Sequence, residues 1–275
     1  FLYLETAVKH NVEFVVWSDV HVDVTDTMYT RLEDLGDTCL NKVLLLAGDI
    51  ADTEEDIQIF LKHCGSRFEH VFYTPGNHEH WGHTEGELRY LIDTSEHIPG
   101  NVTFLQREAV TYKGVRIIGA TLWTDYNDMD PLVLDTVRHS MACDFGSMGV
   151  DAQTLYYRHL QDKGFIFSEL LEHKDKPCVV MTHHGCSSKS VSEHYNNPLY
   201  YATNHAYYSE LSRDILDVCE KRLEPMKWVH GHMHSTARYR IGDMCEVILN
   251  PFGYSRFQTD FDTLTGFTFE TEAEQ

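Results

Sequence analysis

No stretch of this chain approaches the ~20 apolar residues that a helix needs to cross a bilayer, and no charged-then-apolar leader marks a secretory signal. The expectation is a protein without a membrane partner, in the cytoplasm. Basic residues are scarce: 22 Lys and Arg stand against 43 Asp and Glu, a formal charge of -21. That balance disfavours a sequence-independent grip on nucleic acid, which relies on cations neutralising phosphates, and it disfavours anionic lipid surfaces. Duplex nucleic acid is therefore not the expected partner. Cys-x-x-Cys spacing is absent, and the seven cysteines (Cys39, Cys64, Cys143, Cys178, Cys186, Cys219 and Cys245) are dispersed and odd in number, which suits a reducing compartment rather than a disulfide framework. Cys178 and Cys245 lie in apolar runs and read as small core residues; Cys186, near His184, reads the same way, with a site wall as its alternative. Internal repeats and low-complexity linkers are missing too, so residues 1–275 are expected to form a single domain.

What is present is an alternation of short apolar runs and amphipathic stretches. Strands are expected at Phe14–Trp17, Val43–Leu46, Val71–Tyr73, Cys178–Met181 and Trp228–Val229, with helices near 27–40, 53–63 and 85–92. This βαβα order predicts a mainly parallel sheet covered by helices on both faces. The runs at 102–104, 109–112 and 115–119, with a Lys113-Gly114 turn, add strands of antiparallel character. Residues 122–150 and 187–206 break every period and are expected to be irregular, substrate-facing excursions. Asp151 is placed to cap a long helix running toward Lys174, interrupted near Gly164.

Each strand-like run is followed by residues that bind cations: Asp19-Val20-His21, Gly48-Asp49, Gly76-Asn77-His78-Glu79, Thr182-His183-His184 and Gly231-His232-Met233-His234. Loops at the carboxyl edge of an open α/β sheet converge on one crevice, so five segments distant in sequence can build one site. A phosphate ester resists nucleophiles because its oxygens are negative; two divalent cations neutralise them and make hydroxide available near neutral pH. Such a pair needs a shared anion, and Asp49, after the close-packing Gly48, is the natural bridge. Asp19 with His21, and His232 with His234, are two apart and would point to one side of an extended chain. Asn77 adds a neutral amide oxygen. A set of O and N donors without thiolate suits Mn²⁺, Fe or Zn²⁺.

Together the blocks resemble the calcineurin-like metallophosphoesterase superfamily, whose order is Asp-x-His, Gly-Asp-x-x-Asp, Gly-Asn-His-Asp/Glu, a His after a strand, and Gly-His-x-His. The resemblance spans positions 15 to about 253, and the stretches Leu122–Asp125, Thr182–His184 and Asn250–Tyr254 look like the small bacterial or phage members. It implies an α/β fold in which a β-sandwich of mixed sheets is flanked by helices, with the active site at strand carboxyl ends. It implies two metal ions, Mn, Fe or Zn, one held by Asp19, His21, Asp49 and His234, the other by Asp49, Asn77, His183 and His232. His78 resembles the family histidine that contacts the phosphoryl or leaving oxygen, oriented by a carboxylate that falls at Asp52. Thr53 stands where the Ser/Thr protein phosphatase branch has Arg, which points away from phosphoproteins and toward small esters.

The expected function is hydrolysis of phosphomonoesters or phosphodiesters, hydroxide attacking phosphorus with His78 as acid or positioning residue. A nuclease of the same fold and an inactive scaffold serving as a binding module are the alternatives. Several residues keep two readings. His184 could replace His183 as ligand, and His80 and His83, with Trp81 between them, could line the pocket. Tyr126, Asn127, His194 and the 195–208 stretch could touch substrate or simply pack. His10, His63, His70, His97, His139, His159 and His173 lie outside every block and read as structural or surface residues.

Overall fold

The computed structural model describes residues 9–254 and 259–272. Its strands are β1 (Lys9–Trp17), β2 (Val43–Ala47), β3 (His70–Thr74), β4 (Val102–Phe104), β5 (Glu108–Tyr112), β6 (Val115–Gly119), β7 (Cys178–Met181), β8 (Met226–Val229), β9 (Ala237–Ile241), β10 (Cys245–Leu249) and β11 (Gly266–Glu272). The helices are α1 (Thr27–Leu35), α2 (Glu54–Gly65), α3 (Glu85–Thr94), α4 (Tyr126–Met129), α5 (Pro131–Ser140), α6 (Ala142–Met148), α7 (Ala152–Glu172), α8 (Tyr201–Asn204) and α9 (Ser212–Cys219). One sheet is ordered β11-β1-β2-β3-β4, the other β5-β6-β7-β8-β10-β9. Strands β1 to β4 are parallel, as are β6, β7, β8 and β10; β11, β5 and β9 join antiparallel at the edges.

The two sheets face each other. Val12, Phe14 and Val16 of β1 and Val43 and Leu45 of β2 share one core with Ile117, Val179, Met181, Val229 and Ile248 of the other sheet. The alternate residues point outward: Val15, Trp17, Leu44 and Leu46 pack on Met28, Leu32, Ile57 and Phe60 of α1 and α2, and Ile118, Val180 and Trp228 pack on Ile166 and Leu170 of α7 and Ile215 of α9. This corrects the single doubly covered sheet expected from the alternation. A strand buried on both faces reads as continuous apolar sequence whether its second face meets a helix or another sheet.

Three local expectations also change. Strand β4 pairs parallel with β3, so of these three strands β5 and β6 form the antiparallel hairpin. Helix α7 runs without a break through Gly164, where an added Cβ would meet only open space, and Asp151 caps it by accepting from the Thr154 amide at 2.8 Å. The 122–150 excursion is largely ordered: α5 and α6 lie in it, and Tyr126, Val133, Val137 and Met141 form a fourth core with Leu155 of α7. Its Tyr126–Met129 segment is a left-handed turn, with φ between 50° and 60°. The 187–206 excursion is mostly turns, with α8 as its short helix. Among the described residues, no helix is long and apolar enough to cross a membrane.

Candidate metal centre

Every block lands just beyond the carboxyl end of its strand. Asp19 and His21 follow β1, Asp49 follows β2, Asn77 follows β3, His183 follows β7, and His232 and His234 follow β8. The first three strands belong to one sheet and the last two to the other, so the site straddles the sandwich edge. Asp19 closes the gap: its carboxylate accepts from the His232 amide at 2.8 and 3.1 Å, and its own amide donates to Gly48 O at 2.9 Å.

The chain here is not extended. Asp19 (φ 52°), His21 (41°), Asp49 (57°), His232 (66°) and His234 (45°) all adopt left-handed backbone, a conformation that costs a non-glycine residue energy and collects at functional sites. Convergence of the two i, i+2 pairs therefore comes from left-handed loops rather than strand alternation. The neighbouring glycines are sterically required. A Cβ on Gly48, itself at φ 83°, would come within 2.5 Å of His183 Nδ1, and one on Gly76 would overlap the Asp49 carboxylate.

Side-chain donors meet in two groups, Asp19/His21/Asp49/His234 and Asp49/His183/His232, the ligand atoms of each lying within 4.8 Å of one another. In the first, His234 Nε2 lies 3.3 Å from both Asp19 Oδ1 and His21 Nε2. In the second, His183 Nε2 lies 2.9 Å from Asn77 Oδ1, 3.2 Å from His232 Nδ1 and 3.3 Å from Asp49 Oδ2. Asp49 Oδ2 is also 3.9 Å from His21 Nε2, so it faces both groups. Nitrogen and oxygen lone pairs crowded this closely, without thiolate, fit a pair of cations. His183 donates from Nδ1 to Ala47 O at 3.0 Å, which leaves Nε2 as the free donor atom.

His78 stands beside both groups rather than in one. Its Nδ1 is 2.6 Å from Asp52 Oδ1, and its Nε2 is 3.9 Å from Asp49 Oδ2 and 3.4 Å from the Tyr254 hydroxyl. Burial disfavours the charged imidazole, but Asp49 and the Asp52 hydrogen bond outweigh it and raise His78 to about 10. Burial likewise opposes ionised Asp49, yet His183 and His78 hold its carboxyl well below the ordinary value. Burial lowers His21 to about 4 and His232 well below the usual imidazole range, so both are neutral.

The structure brings His183 into the second donor group and leaves His184 outside it, its ring tilted against His232 at 4.4 Å and Trp123 at 5.2 Å. His80 is buried against Trp123, and His83 is 3.5 Å from Glu54; neither joins the cluster. Tyr126 is buried in the fourth core, and His194 packs with Tyr195 in the second excursion. Cys186 is a core residue. The His10 side chain lies outside the described residues.

Four residues contribute in roles that the sequence reading did not assign, Trp81 entering it only as the residue between His80 and His83. Glu79, fully buried, accepts from the amides of Asp49, Ile50 and Gly76 and so clamps the two ligand loops together. Burial and the Asp49 charge raise it to about 7. Tyr254 stacks on His21 at 4.4 Å, Trp81 stacks on His78 at 4.0 Å, and Asp144 in α6 accepts from Asn77 Nδ2 at 2.8 Å. Glu79 and Tyr254 belong to blocks already quoted, but nothing in one sequence distinguishes a loop clamp from a ligand.

Residues 12–236 match the calcineurin-like phosphoesterase family. The Acanthamoeba polyphaga mimivirus protein L509 is 23% identical over 239 residues, 80% of this chain and 81% of that protein. Among solved structures, the phosphopantetheinyl hydrolase PptH of Mycobacterium tuberculosis superposes with a TM-score of 0.66 at 17% identity, covering 90% of this chain and 91% of that one. A dimetal phosphatase from Danio rerio gives 0.51 at 12% identity, covering 88% of each chain. These two likenesses are of fold. The match across most of the chain, with the donors gathered at one edge of the sandwich, makes this protein a member of the calcineurin-like phosphoesterase family.

Proposed function

We propose that this protein is a dinuclear metal-dependent hydrolase of small phosphomonoesters or phosphodiesters. The observation that carries the reading is the membership of Asp49 in both donor groups. Asp19, His21, Asp49 and His234 would hold one ion, and Asp49, Asn77, His183 and His232 the other. Two such cations, when bound, neutralise phosphoryl oxygens and supply hydroxide near neutral pH. The chain does the rest. Asp49 keeps the two donor groups together, and Glu79 holds the loop that carries it. His78 donates from Nδ1 to Asp52, and in the imidazolium form that Asp49 and Asp52 favour its Nε2 carries a second proton, aimed at the cluster and at a leaving oxygen lodged there. Mn, Fe and Zn all suit the donors, and Mn²⁺ is the ion proposed to support turnover in vitro.

The small-ester preference rests on charge. A long polyanion meets a surface of formal charge -21, whereas a small ester meets mainly the local field of the cations. The test is a panel run on EDTA-stripped protein reconstituted with Mn²⁺. Mono- or bis-nitrophenyl phosphate should be turned over, EDTA should abolish turnover, and duplex DNA should be a poor substrate. Added salt should not produce the steep log-log loss that counterion release imposes on proteins gripping many phosphates. DNA cleavage without small-ester activity would replace this reading with a nuclease.

A further inference from the structure

An amide is an ambiguous metal ligand. Only its oxygen has lone pairs to give, and a flipped Asn77 would turn two N–H groups toward a cation. Asn77 is 3% exposed, and its Oδ1 lies 2.9 Å from His183 Nε2, inside the second donor group. Its Nδ2 points the other way, to Asp144 Oδ1 at 2.8 Å. Asp144 belongs to α6, in the 122–150 excursion, which supplies neither donor group with a residue. It is 7% exposed, and the same Oδ1 accepts from the Trp81 indole N–H at 2.9 Å. The Trp81 ring lies against His78, centroids 4.0 Å apart and planes 29° apart.

We propose that Asp144 is a positioning residue that orients the Asn77 amide so that its oxygen faces the second cation, and that holds the Trp81 indole against His78. The indole N–H of Trp81 can only donate, so the Asp144 Oδ1 that receives it acts as an acceptor, and an acceptor is satisfied by Nδ2 and never by Oδ1. A hydroxyl or a water could serve either orientation and would leave the flip open. The carboxylate also draws the amide dipole toward itself, making Oδ1 the richer donor, as outer partners do for metal ligands generally. The excursion thereby couples its own folding to one of the two cation sites and not to the other, since among the described residues its hydrogen bond to the donor set is the one to Asn77.

The inference rests on the two-ion reading, and the experiment separates them. Metal-stripped wild type, Asp144→Ala and Asp144→Asn are titrated with Mn²⁺ by calorimetry. Wild type should bind two ions. Asp144→Ala should bind one as before and the other roughly 10–100-fold more weakly, the usual cost of losing an outer partner. Asp144→Asn keeps an acceptor at Oδ1 and should recover most of that loss. A wild type that binds fewer than two ions sinks the dinuclear reading and this inference with it. A two-ion wild type whose Asp144→Ala variant binds both ions normally, or weakens both equally, sinks the orienting role alone. Should the alanine variant fail to fold, zinc-loaded wild type labelled with ¹⁵N decides: the Asn77 side-chain amide should exchange slowly with solvent, and fast exchange overturns the inference.

Discussion

His78 and Asp52 offer a test in which the partners' roles predict how their effects combine. Nδ1 of His78 lies 2.6 Å from Asp52 Oδ1, and Asp52 makes no entry into either donor group. Removing the ring should therefore spare the ions and cost roughly 10²–10⁴ in kcat, the usual size of an acid or positioning contribution. Asp52→Asn removes only the charge behind the ring. A hydrogen bond to a charged group contributes about 1.5–3 kcal/mol, and the 37% exposure of Asp52 places this one at the low end. At ~1.4 kcal/mol per decade that is about a tenfold loss. Because Asp52 acts through His78, the double variant should be no slower than His78→Ala. The assay is steady-state turnover of a nitrophenyl and an alkyl phosphate, with metal content measured alongside. Nitrophenolate leaves without much protonation, so its loss should be the smaller. Metal loss in His78→Ala, multiplicative damage in the double variant, or equal damage on both substrates would refute the acid role.

Asp49→Asn should lower the occupancy of both ions and activity together, because the shared anion is gone; two full-occupancy metals in that variant, read by elemental analysis, would remove Asp49 from the bridge. Glu79→Ala strands three backbone N–H groups, each costing about 1–3 kcal/mol when buried and unpaired, so thermal melting should show a loss of at least about 3 kcal/mol with weakened metal binding; an unchanged Tm would mean that water or loop movement satisfies them. Glu246 is lowered to about 2 from 4.5 by its hydrogen bond to Arg238, against a burial penalty, with Lys227 adding to the lowering. A depressed carboxyl stabilises above its unfolded value and loses that stabilisation as pH falls toward its folded one. Glu246→Gln should therefore cost about 1 kcal/mol at pH 7, a gap that closes between pH 4.5 and 2 in denaturant melts; a pH-independent gap would assign the loss to packing instead.

Some of this molecule is local and some is not. The runs at 43–46, 71–73 and 178–181 are apolar on both faces and bounded by Lys42 and Ala47-Gly48, by His70 and Thr74, and by Pro177 and Thr182, so their strand character, and the donors just past their ends, were legible from neighbouring residues alone. The edge strands β9 and β11 were not: Ala237–Ile241 alternates with Arg and Tyr, and β11 is defined by its antiparallel partner β1, more than 250 residues earlier. Whether Val16 and Val179 meet across a sandwich or each meet a helix depends on how far the chain travels between them, which periodicity does not encode. Within the site, residue type and spacing were enough to nominate Asp19, Asp49 and His232 as donors, and left His183 and His184 as alternatives. The left-handed turns that aim them appear only in the folded backbone, and the Glu79 clamp on Ile50 and the Asp144 contact to Asn77 join residues 29 and 67 apart in sequence. The sequence by itself determined which chemistry could be assembled, since donor types and glycines are local facts. Tertiary structure decided which lone pair points where, because orientation is set by whatever distant group receives the other end of each side chain.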